Sequence, residues 1–312
     1  MELIRGLHNL RPRHRGCVAT IGAFDGVHLG HQAVLRHLLD KAAEFALPST
    51  IIVFEPLPRE YFSPIESPAR IMSFREKFQE LRYEGVDRLL RIRFNEGLRS
   101  MSAQEFVDQV FVDGLGVRYV VLGDDFRFGS DRQGDYEFIR EQGARYGYEA
   151  QPTPTETLEG ERVSSTRIRE ALEAADFPLA EKLLGRPYSI AGKVVYGRQL
   201  GKTIGTPTAN LELRRLRAPL SGVYTVEVSG NALDRAIGVA NVGVRPTVDD
   251  SIKANLEVHL IDREVHLYGQ HIEVAFRHKL RDERKFDSVE ELQQNIARDI
   301  QMTRDWFTRP GQ

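Results

Sequence analysis

Two histidines and several glycines fall close together near the start of the chain, in the run Gly-Ala-Phe-Asp-Gly-Val-His-Leu-Gly-His over 22–31. The apolar residues 17–21 before it predict a buried strand, and helical apolar spacing after it predicts a helix. On that helix His28 and His31 lie about one turn apart on one face. Glycine lets a ligand approach the backbone closely, and a helix N-terminus offers N–H donors that attract phosphate. The stretch therefore predicts a site for an ATP phosphate.

Two other interpretations of this stretch are simpler. The glycines alone fit an ordinary structural turn, and two histidines near a turn are often surface or core residues. A zinc site is disfavoured because the chain has a single cysteine, Cys17, and no H-E-x-x-H motif. Glycines, an acid and paired histidines at one strand-to-helix junction together favour phosphate binding.

Composition limits the class of protein. The chain has 312 residues, 41% hydrophobic and 28% charged, with a net charge of −2, so we expect about two globular domains. Lysines and arginines are scattered, which argues against nucleic-acid binding and membrane binding. The single cysteine fits a reducing compartment, and the N-terminus lacks the apolar core of a signal peptide. We expect a soluble cytoplasmic protein, and the sequence defines no oligomeric state.

The first half alternates strand and helix patterns. Apolar runs at 50–55, 89–94 and 119–123 predict buried strands, and 73–85 and 103–112 predict helices, the first capped by Ser73 with Glu76. This alternation predicts a doubly wound parallel sheet that binds ligands at the carboxyl ends of its strands.

The second half differs in kind. Short strand patterns at 188–196, 222–228, 236–242, 256–261 and 271–276 predict a small antiparallel β-barrel of the six-stranded type. Residues 288–307 predict an amphipathic terminal helix whose Leu292, Ile296, Ile300 and Trp306 lie near one face. With a junction at 185–187, we expect an α/β domain over 1–184 and a β domain over 185–312.

Three further stretches carry side chains suited to ligands. The loop over 123–129 has two aromatic residues and an arginine, which suit a flat ligand that carries phosphate, although one aromatic could be a core residue. The hydroxyls of Ser164 and Ser165 begin a helix that carries Arg169, a second candidate anion clamp or a plain N-cap. Thr208 and Asn210 offer hard oxygen ligands for Mg²⁺ in an extended segment, or belong to a simple turn.

The run Gly-Arg-Gln-Leu-Gly-Lys-Thr over 197–203 is similar to a P-loop but is one residue too short. Gly205 and Pro207 also prevent a helix from following it. A Walker-type NTPase is therefore disfavoured.

These motifs resemble a known enzyme family, the bifunctional riboflavin kinase/FMN adenylyltransferases, over essentially the full length. Residues 22–31 resemble the nucleotidyltransferase signature G-x-F-D-G-x-H-x-G-H, residues 123–129 the G-x-D-F-R-F-G motif, and 164–169 the S-S-T-x-I-R element. Residues 205–210 resemble the riboflavin kinase signature G-x-P-T-A-N. Residues 238–247, 257–260 and 281–286 resemble its G-V-A-N-I-G-x-R-P-T, E-x-H-L and R-D-E-x-K-F segments. One departure is His266, where the family commonly has an acid before Leu-Tyr-Gly.

The resemblance implies residue roles in two active sites. For adenylyl transfer it implies an ATP site formed by Gly22, Phe24, Asp25, Gly26, His28, Gly30, His31, Ser164, Ser165, Thr166 and Arg169. It implies FMN contacts by Asp125, Phe126, Arg127 and Phe128. For the kinase it implies ATP and Mg²⁺ contacts by Gly201, Lys202, Gly205, Pro207, Thr208 and Asn210, with Thr208 and Asn210 on the metal. It implies flavin contacts by Asn241, Gly243, Arg245, Thr247, Arg281 and Glu283, and Glu257 as catalytic base.

The expected function is therefore conversion of riboflavin to FMN and of FMN to FAD, each step using ATP. His28, His31 and Arg169 would stabilise charge during adenylyl transfer. Two rival interpretations stay open at this level. One is a single-activity adenylyltransferase with a non-catalytic barrel, and the other is a nucleic-acid binder that uses the barrel as a platform.

Overall fold

The computed structural model describes residues 1–123, 126–197, 205–231, 233–246, 252–263 and 265–309. Its contacts divide the chain into two compact units. The first contains Met1–Pro68 and Lys77–Ser164, and the second contains Ala69–Glu76 and Ser165–Gln312. A short segment from the first half of the sequence thus belongs structurally to the second unit.

The first unit is built on a parallel sheet of six strands in the order β1-β4-β3-β2-β5-β6. These strands are Glu2–Arg5, Cys17–Ile21, Ser49–Glu55, Arg88–Arg93, Val117–Gly123 and Glu149–Thr153 (β1 to β6). A two-stranded hairpin follows, Thr157–Leu158 and Glu161–Arg162 (β7 and β8). The central strands β2, β3 and β5 carry runs of consecutive buried residues because both faces of a parallel sheet are covered. The predicted doubly wound sheet is confirmed.

The two edge strands of this sheet, β1 and β6, were not predicted from the sequence. Strand β6 contains Pro152 and has mostly polar, exposed residues, and β1 has only four residues. Edge strands need neither a continuous apolar run nor a donor at every position, so their sequence pattern is weak.

The first six helices are Leu29–Glu44, Pro58–Phe62, Phe74–Tyr83, Glu96–Arg99, Ala103–Phe106 and Tyr136–Tyr146 (α1 to α6). All lie in the first unit except the first turn of α3, which belongs to the segment Ala69–Glu76 of the second. Ser73 caps α3 as predicted, because its backbone N–H donates to Glu76 and its hydroxyl accepts from the N–H of Glu76. The predicted helix at 103–112 is α-helical only in α5. It continues as a π-helix over Val107–Leu115, a rare conformation that apolar spacing does not distinguish from the α-helix.

The second unit contains a closed antiparallel barrel with strand order β10-β13-β12-β11-β14-β9, which confirms the six-stranded prediction. Its strands are Ser189–Val195, Ala209–Glu212, Gly222–Gly230, Leu233–Pro246, Ile252–Leu260 and His271–Arg281 (β9 to β14). Apolar side chains at paired positions point inward: Leu211, Leu256 and Val242 pair across three strands and are 0 to 3% exposed. These apolar side chains fill the barrel, so the residues between them lie on its outer face.

Among the described residues, the second unit contains three further helices, Ser165–Glu173, Phe177–Leu184 and Val289–Phe307 (α7 to α9). The predicted amphipathic helix α9 is present, with Ser288 as its N-cap. Its fully buried residues, however, are polar: Asn295, Asp299 and Thr303. Each has a partner on the barrel side, since Asn295 accepts from Arg284, Asp299 from Arg281, and Thr303 bonds Thr225. Apolar spacing predicted the helix but not the stripe through which it binds.

A buried ion pair fixes the segment Ala69–Glu76 within the second unit. The Glu76 carboxylate pairs with the guanidinium of Arg215, which is completely buried, and also accepts from the backbone N–H of Ala191 at 2.8 Å. Arg215 donates in addition to the carbonyl oxygen of Ile71 at 3.0 Å. A buried charge is tolerated only when it is paired and hydrogen-bonded, and both groups meet that condition.

Candidate active sites

The Gly-rich turn lies at the carboxyl end of β2, in the middle of the parallel sheet. Strand β2 pairs with β3 on one side and with β5 on the other, so the chain leaves β2 where the strand order reverses. Open parallel sheets bind ligands at such switch points. The loop that follows β5 begins at the same edge of the sheet. The topology thus brings the predicted ATP turn and the aromatic loop to one edge.

The turn has a strained backbone. Phe24 and Val27 have φ angles of 47° and 41°, and Gly26 has a φ of 94°. Left-handed backbone is uncommon for residues other than glycine, and for a β-branched valine it is a true outlier. Both strained side chains are buried, Phe24 at 2% and Val27 at 0% exposure. Such strain persists where packing enforces it, and it is often found at ligand sites.

His28 is the N-cap of α1. Its ring Nδ1 accepts a hydrogen bond from the backbone N–H of His31 at 3.3 Å. In a neutral imidazole the hydrogen then sits on Nε2, so the ring presents a donor on its other side. The two imidazoles stack with ring centroids 3.7 Å apart, which confirms that the histidines share one face of the helix.

His31 is held neutral by its surroundings. Burial lowers its pKa well below the usual value, and the nearby His28 and Lys77 lower it further. Its Nδ1 atom is buried and has no hydrogen-bond partner within the part of the chain that the structure describes. A buried ring nitrogen without a partner at a helix N-terminus is suited to bind an incoming phosphate oxygen.

Lys77 is a residue that sequence reasoning missed. It lies on α3, is only 1% exposed, and its Nζ donates to the carbonyl oxygen of Ala23 at 2.6 Å. A buried ammonium group thus lies against the Gly-rich turn. A single lysine in an amphipathic helix has no distinguishing pattern, and only the sheet topology brings it to the turn.

A pH titration tests the neutral state of His31. We expect its imidazole to stay uncharged in the ligand-free protein from about pH 8 to about pH 6, because burial favours the neutral form. The stability contributed by this neutral group is present above about pH 6.5 and is lost as the pH falls below it. NMR of the histidine imidazole signals as a function of pH measures the protonation of His31. The His31→Asn variant assigns the signal. A midpoint at or above the ordinary value would contradict the buried, neutral assignment.

The loop after β5 carries its aromatic residues in two different environments. Asp125 lies outside the described residues. Phe126 stacks on Phe128 with centroids 5.6 Å apart, and Phe128 is buried at 5% exposure in the core of the sheet. Arg127 pairs with Asp135 at 2.5 Å. Contacts of these residues with FMN remain a prediction, and Phe126, half-buried, is the ring best placed to meet a ligand.

A second aromatic group lies at the same edge of the sheet, beyond the ends of β3 and β4. It consists of Phe54, Phe94, Tyr61 and Phe62, whose neighbouring rings meet edge to face with centroids 5.3 to 5.9 Å apart. Phe62 is 57% exposed. Sequence reasoning did not select this group, because its members come from two strand ends and the short helix α2.

The predicted anion clamp at 164–169 belongs largely to the second unit. Ser164 ends the first unit, and Ser165, Thr166 and Arg169 lie on α7. The Nε atom of Arg169 donates to the carbonyl oxygen of Ala69 at 2.6 Å. Their approach to ATP therefore remains a prediction.

In the barrel, three predicted site residues form one row. Asn210 on β10 is directly opposite Glu257 on β13, and Glu257 is directly opposite Asn241 on β12. Directly opposite residues of antiparallel strands point to the same face. Since their neighbours fill the barrel, the row lies on the outer face. Two amides thus flank the candidate catalytic carboxylate.

The segment before β10 is tied to the same strands. His259, two residues after Glu257, makes a hydrogen bond through Nδ1 to the carbonyl oxygen of Pro207 at 2.9 Å. Asn210 is 6% exposed and lies against Gly197, where a Cβ atom would come within 2.3 Å of its amide. Thr208 is half-buried beside this row, and Gly205 is exposed. Gly201 and Lys202 lie outside the described residues.

Glu283 completes the outer face next to Asn241. Its Oε1 accepts from the Nδ2 of Asn241 at 3.2 Å, and its carboxylate occupies the space above Gly243, where a Cβ would approach within 2.3 Å. Arg281 makes hydrogen bonds of 2.8 to 3.1 Å to Asp299 of α9, so it holds the terminal helix. Arg245 lies on β12, and Thr247 lies outside the described residues. Flavin contacts by these residues remain predictions.

The described residues contain neither a cluster suited to a metal ion nor a membrane-spanning helix. No cluster of three or more histidine, cysteine or acidic side chains among them is arranged to hold a metal ion. None of the helices in the described ranges is long and apolar enough to cross a membrane.

The first unit has a strained Gly-rich turn at the switch point of a doubly wound sheet, and the second has a barrel with a carboxylate between two amides. Together these features are typical of a two-unit nucleotide-dependent transferase. The family model for FAD synthetase matches residues 10–167, and that for riboflavin kinase matches residues 184–307. The chain belongs to the bifunctional riboflavin kinase/FMN adenylyltransferase family.

Relatives with this combination of activities in their names match over the full length. A bifunctional riboflavin kinase/FMN adenylyltransferase from Pseudomonas fluorescens is 52% identical over 97% of each chain. Its counterpart from Escherichia coli K12 is 46% identical over 100% of each. A crystal structure described as a macrolide-efflux protein from Streptococcus pneumoniae is 31% identical, with a TM-score of 0.77, over 98% of this chain and 100% of that one.

Proposed function

We propose that the chain phosphorylates riboflavin to FMN in its barrel and adenylylates FMN to FAD on its parallel sheet. One observation carries the proposal. Each unit assembles its own candidate site from residues distant in sequence: the turn with His28, His31 and Lys77 in the first, and the row Asn210, Glu257 and Asn241 in the second. Two separate sites suit two separate transfers from ATP.

In adenylyl transfer, a phosphate oxygen of FMN attacks the α-phosphorus of ATP, and the bond from that phosphorus to the bridging oxygen breaks. Pyrophosphate leaves, and the reaction needs no protein nucleophile. His28, through Nε2–H, and His31 stabilise the charge that develops on the α-phosphate and the leaving group. The Lys77 ammonium adds positive charge next to the turn. We propose Arg169 as a further cation for the phosphates.

In the kinase reaction, the 5′-hydroxyl of riboflavin attacks the γ-phosphorus of ATP and ADP leaves. Glu257 accepts the hydroxyl proton. The hydroxyl of Thr208 and the amide oxygen of Asn210 would hold Mg²⁺, which would supply positive charge to neutralise the phosphates. The donors fit this ion, since both are neutral hard oxygens beside a carboxylate. Thr206, in the same segment, has a buried Oγ1 without a hydrogen-bond partner among the described residues, so this oxygen is available to the ligand.

Flavin binding is supported by a different observation in each unit. On the sheet, the exposed Phe62 and the rings behind it offer an aromatic surface on which a flat isoalloxazine ring can stack. In the barrel, Oδ1 of Asn241 is buried and has no partner in the described ranges, so it can accept a hydrogen bond from the ligand. We propose Phe126 and Arg127 as further contacts to FMN.

We further propose that the adenylyltransferase domain spans 1–184 and the kinase domain 185–312, and that the enzyme works in the cytoplasm with Mg²⁺. The boundary between the two compact units of the structure lies earlier, after Ser164. The single cysteine, buried and unpaired, supports a reducing compartment.

The direct test is incubation with riboflavin, ATP and Mg²⁺, followed by chromatographic separation of the flavins. We expect FMN first and FAD later, with ADP and pyrophosphate both released. Chelation of the metal should stop both steps. A second incubation starts from FMN. FAD from FMN without any FMN from riboflavin would favour a single-activity adenylyltransferase with a non-catalytic barrel, and no FAD from FMN would overturn the adenylyltransferase assignment.

A further inference from the structure

Two carboxylates on the outer face of the barrel each accept a hydrogen bond from an asparagine. Nδ2 of Asn255 donates to Oε1 of Glu257 at 3.0 Å, and Nδ2 of Asn241 donates to Oε1 of Glu283 at 3.2 Å. Asn255 and Glu257 are two residues apart on β13, so their side chains share one face. Asn241 belongs to the family motif at 238–247. Asn255 belongs to none of the motifs.

The strand register places Asn255 inside this arrangement. It is directly opposite Gly243 on β12, just as Glu257 is directly opposite Asn241. Gly243 has no side chain, and the Glu283 carboxylate occupies the space that a Cβ would take there. Asn255 is half-buried and contributes no apolar area to the barrel interior, because Ala254 and Leu256 on either side point the other way. Its side-chain amide donates a hydrogen bond to Glu257.

We infer that Asn255 is a positioning residue for the kinase reaction. Its amide fixes the orientation of the Glu257 carboxylate through a charge-assisted hydrogen bond from a rigid strand. A base on an extended strand has rotatable bonds that a single neighbouring donor can restrict, and a reacting group must be held close to its productive geometry. This inference rests on the proposed role of Glu257 as base.

Three substitutions test it by steady-state kinetics of riboflavin phosphorylation. Asn255→Ala should lower kcat by roughly ten- to a hundred-fold, as expected for a misplaced catalytic group, and leave KM for ATP nearly unchanged. Asn255→Asp keeps the shape but replaces the donor with a repelling carboxylate, so it should lose at least as much. FAD formation from FMN should stay at the parental rate in both. Asn231→Ala, at an exposed turn of the same barrel, is the matched control and should change neither activity.

A double-mutant cycle with Glu257→Gln separates positioning from a general structural role. If Asn255 acts through Glu257, adding Asn255→Ala to Glu257→Gln should cost no further activity. Full multiplication of the two losses, or a parental kcat for Asn255→Ala, would overturn the inference. If Glu257 is not the catalytic base, the result is different, because Glu257→Gln alone would then phosphorylate riboflavin at the parental rate. If the alanine variant does not fold, the isosteric aspartate variant carries the same test.

Discussion

Alanine at His28 or at His31 should reduce FAD formation from FMN by roughly a hundred- to a thousand-fold, the usual loss when one preorganised donor to developing charge is removed. The two substitutions act differently in detail. His28→Ala also removes the cap of α1. His31→Ala removes a half-buried imidazole whose buried Nδ1 has no hydrogen-bond partner among the described residues. Riboflavin phosphorylation should stay near the parental rate in both variants, because the kinase residues lie in the other unit. Separate assays of the two steps on purified, folded protein measure this.

His37→Ala is the matched control for this prediction. His37 lies on the same helix, six residues after His31, and its ring makes a hydrogen bond to the hydroxyl of Thr153 at 3.2 Å. We expect this variant to keep FAD formation within a few-fold of the parent, as for a residue outside the reaction site. Equal loss of both activities in a folded His28 or His31 variant would contradict two separate sites.

Glu257→Gln should lower FMN formation by roughly a hundred- to ten-thousand-fold, the range of general-base catalysis. Glutamine keeps the size of the side chain and can still hydrogen-bond, but it does not accept a proton near neutral pH. Binding of Mg·ATP should survive because Thr208 and Asn210 are unchanged, and FAD should still form from supplied FMN. Rapid-quench measurement of ADP formation and equilibrium binding of ATP separate the chemical step from binding.

Glu273→Gln tests whether any barrel carboxylate would give the same result. Glu273 lies on β14 and bonds Ser189 at 2.5 Å, on a different part of the barrel. It should phosphorylate riboflavin at the parental rate. If Glu257→Gln did so as well, Glu257 would not be the base, and positioning of the phosphates would account for the reaction.

Local patterns explain what the sequence could predict. The strand before the Gly-rich turn and the cap of α3 each follow from residues within one short window. Because parallel strands end at one edge, these local predictions were enough to bring the turn and the loop after β5 together. The motifs of both sites were likewise visible, since each lies on one continuous segment.

Features that depend on pairing between distant segments could not be predicted. The row Asn210, Glu257 and Asn241 exists only because three strands pair in one register, and a shift by one residue would point Glu257 into the barrel. Lys77 reaches the turn through helix packing. The left-handed conformations of Phe24 and Val27 contradict the preference of their residue types, so tertiary packing must impose them.

The ion pair of Glu76 and Arg215 bears on how such an enzyme could arise or be divided in evolution. A single break in the gene between the two family matches, after residue 167 and before residue 184, leaves Glu76 on one product and Arg215 on the other. An uncompensated buried charge costs about 3–5 kcal/mol, a large share of the stability of a domain. An independent kinase descended from this barrel must therefore replace Arg215 or acquire an acid of its own. The residue at that position is a marker for fused or separate ancestry.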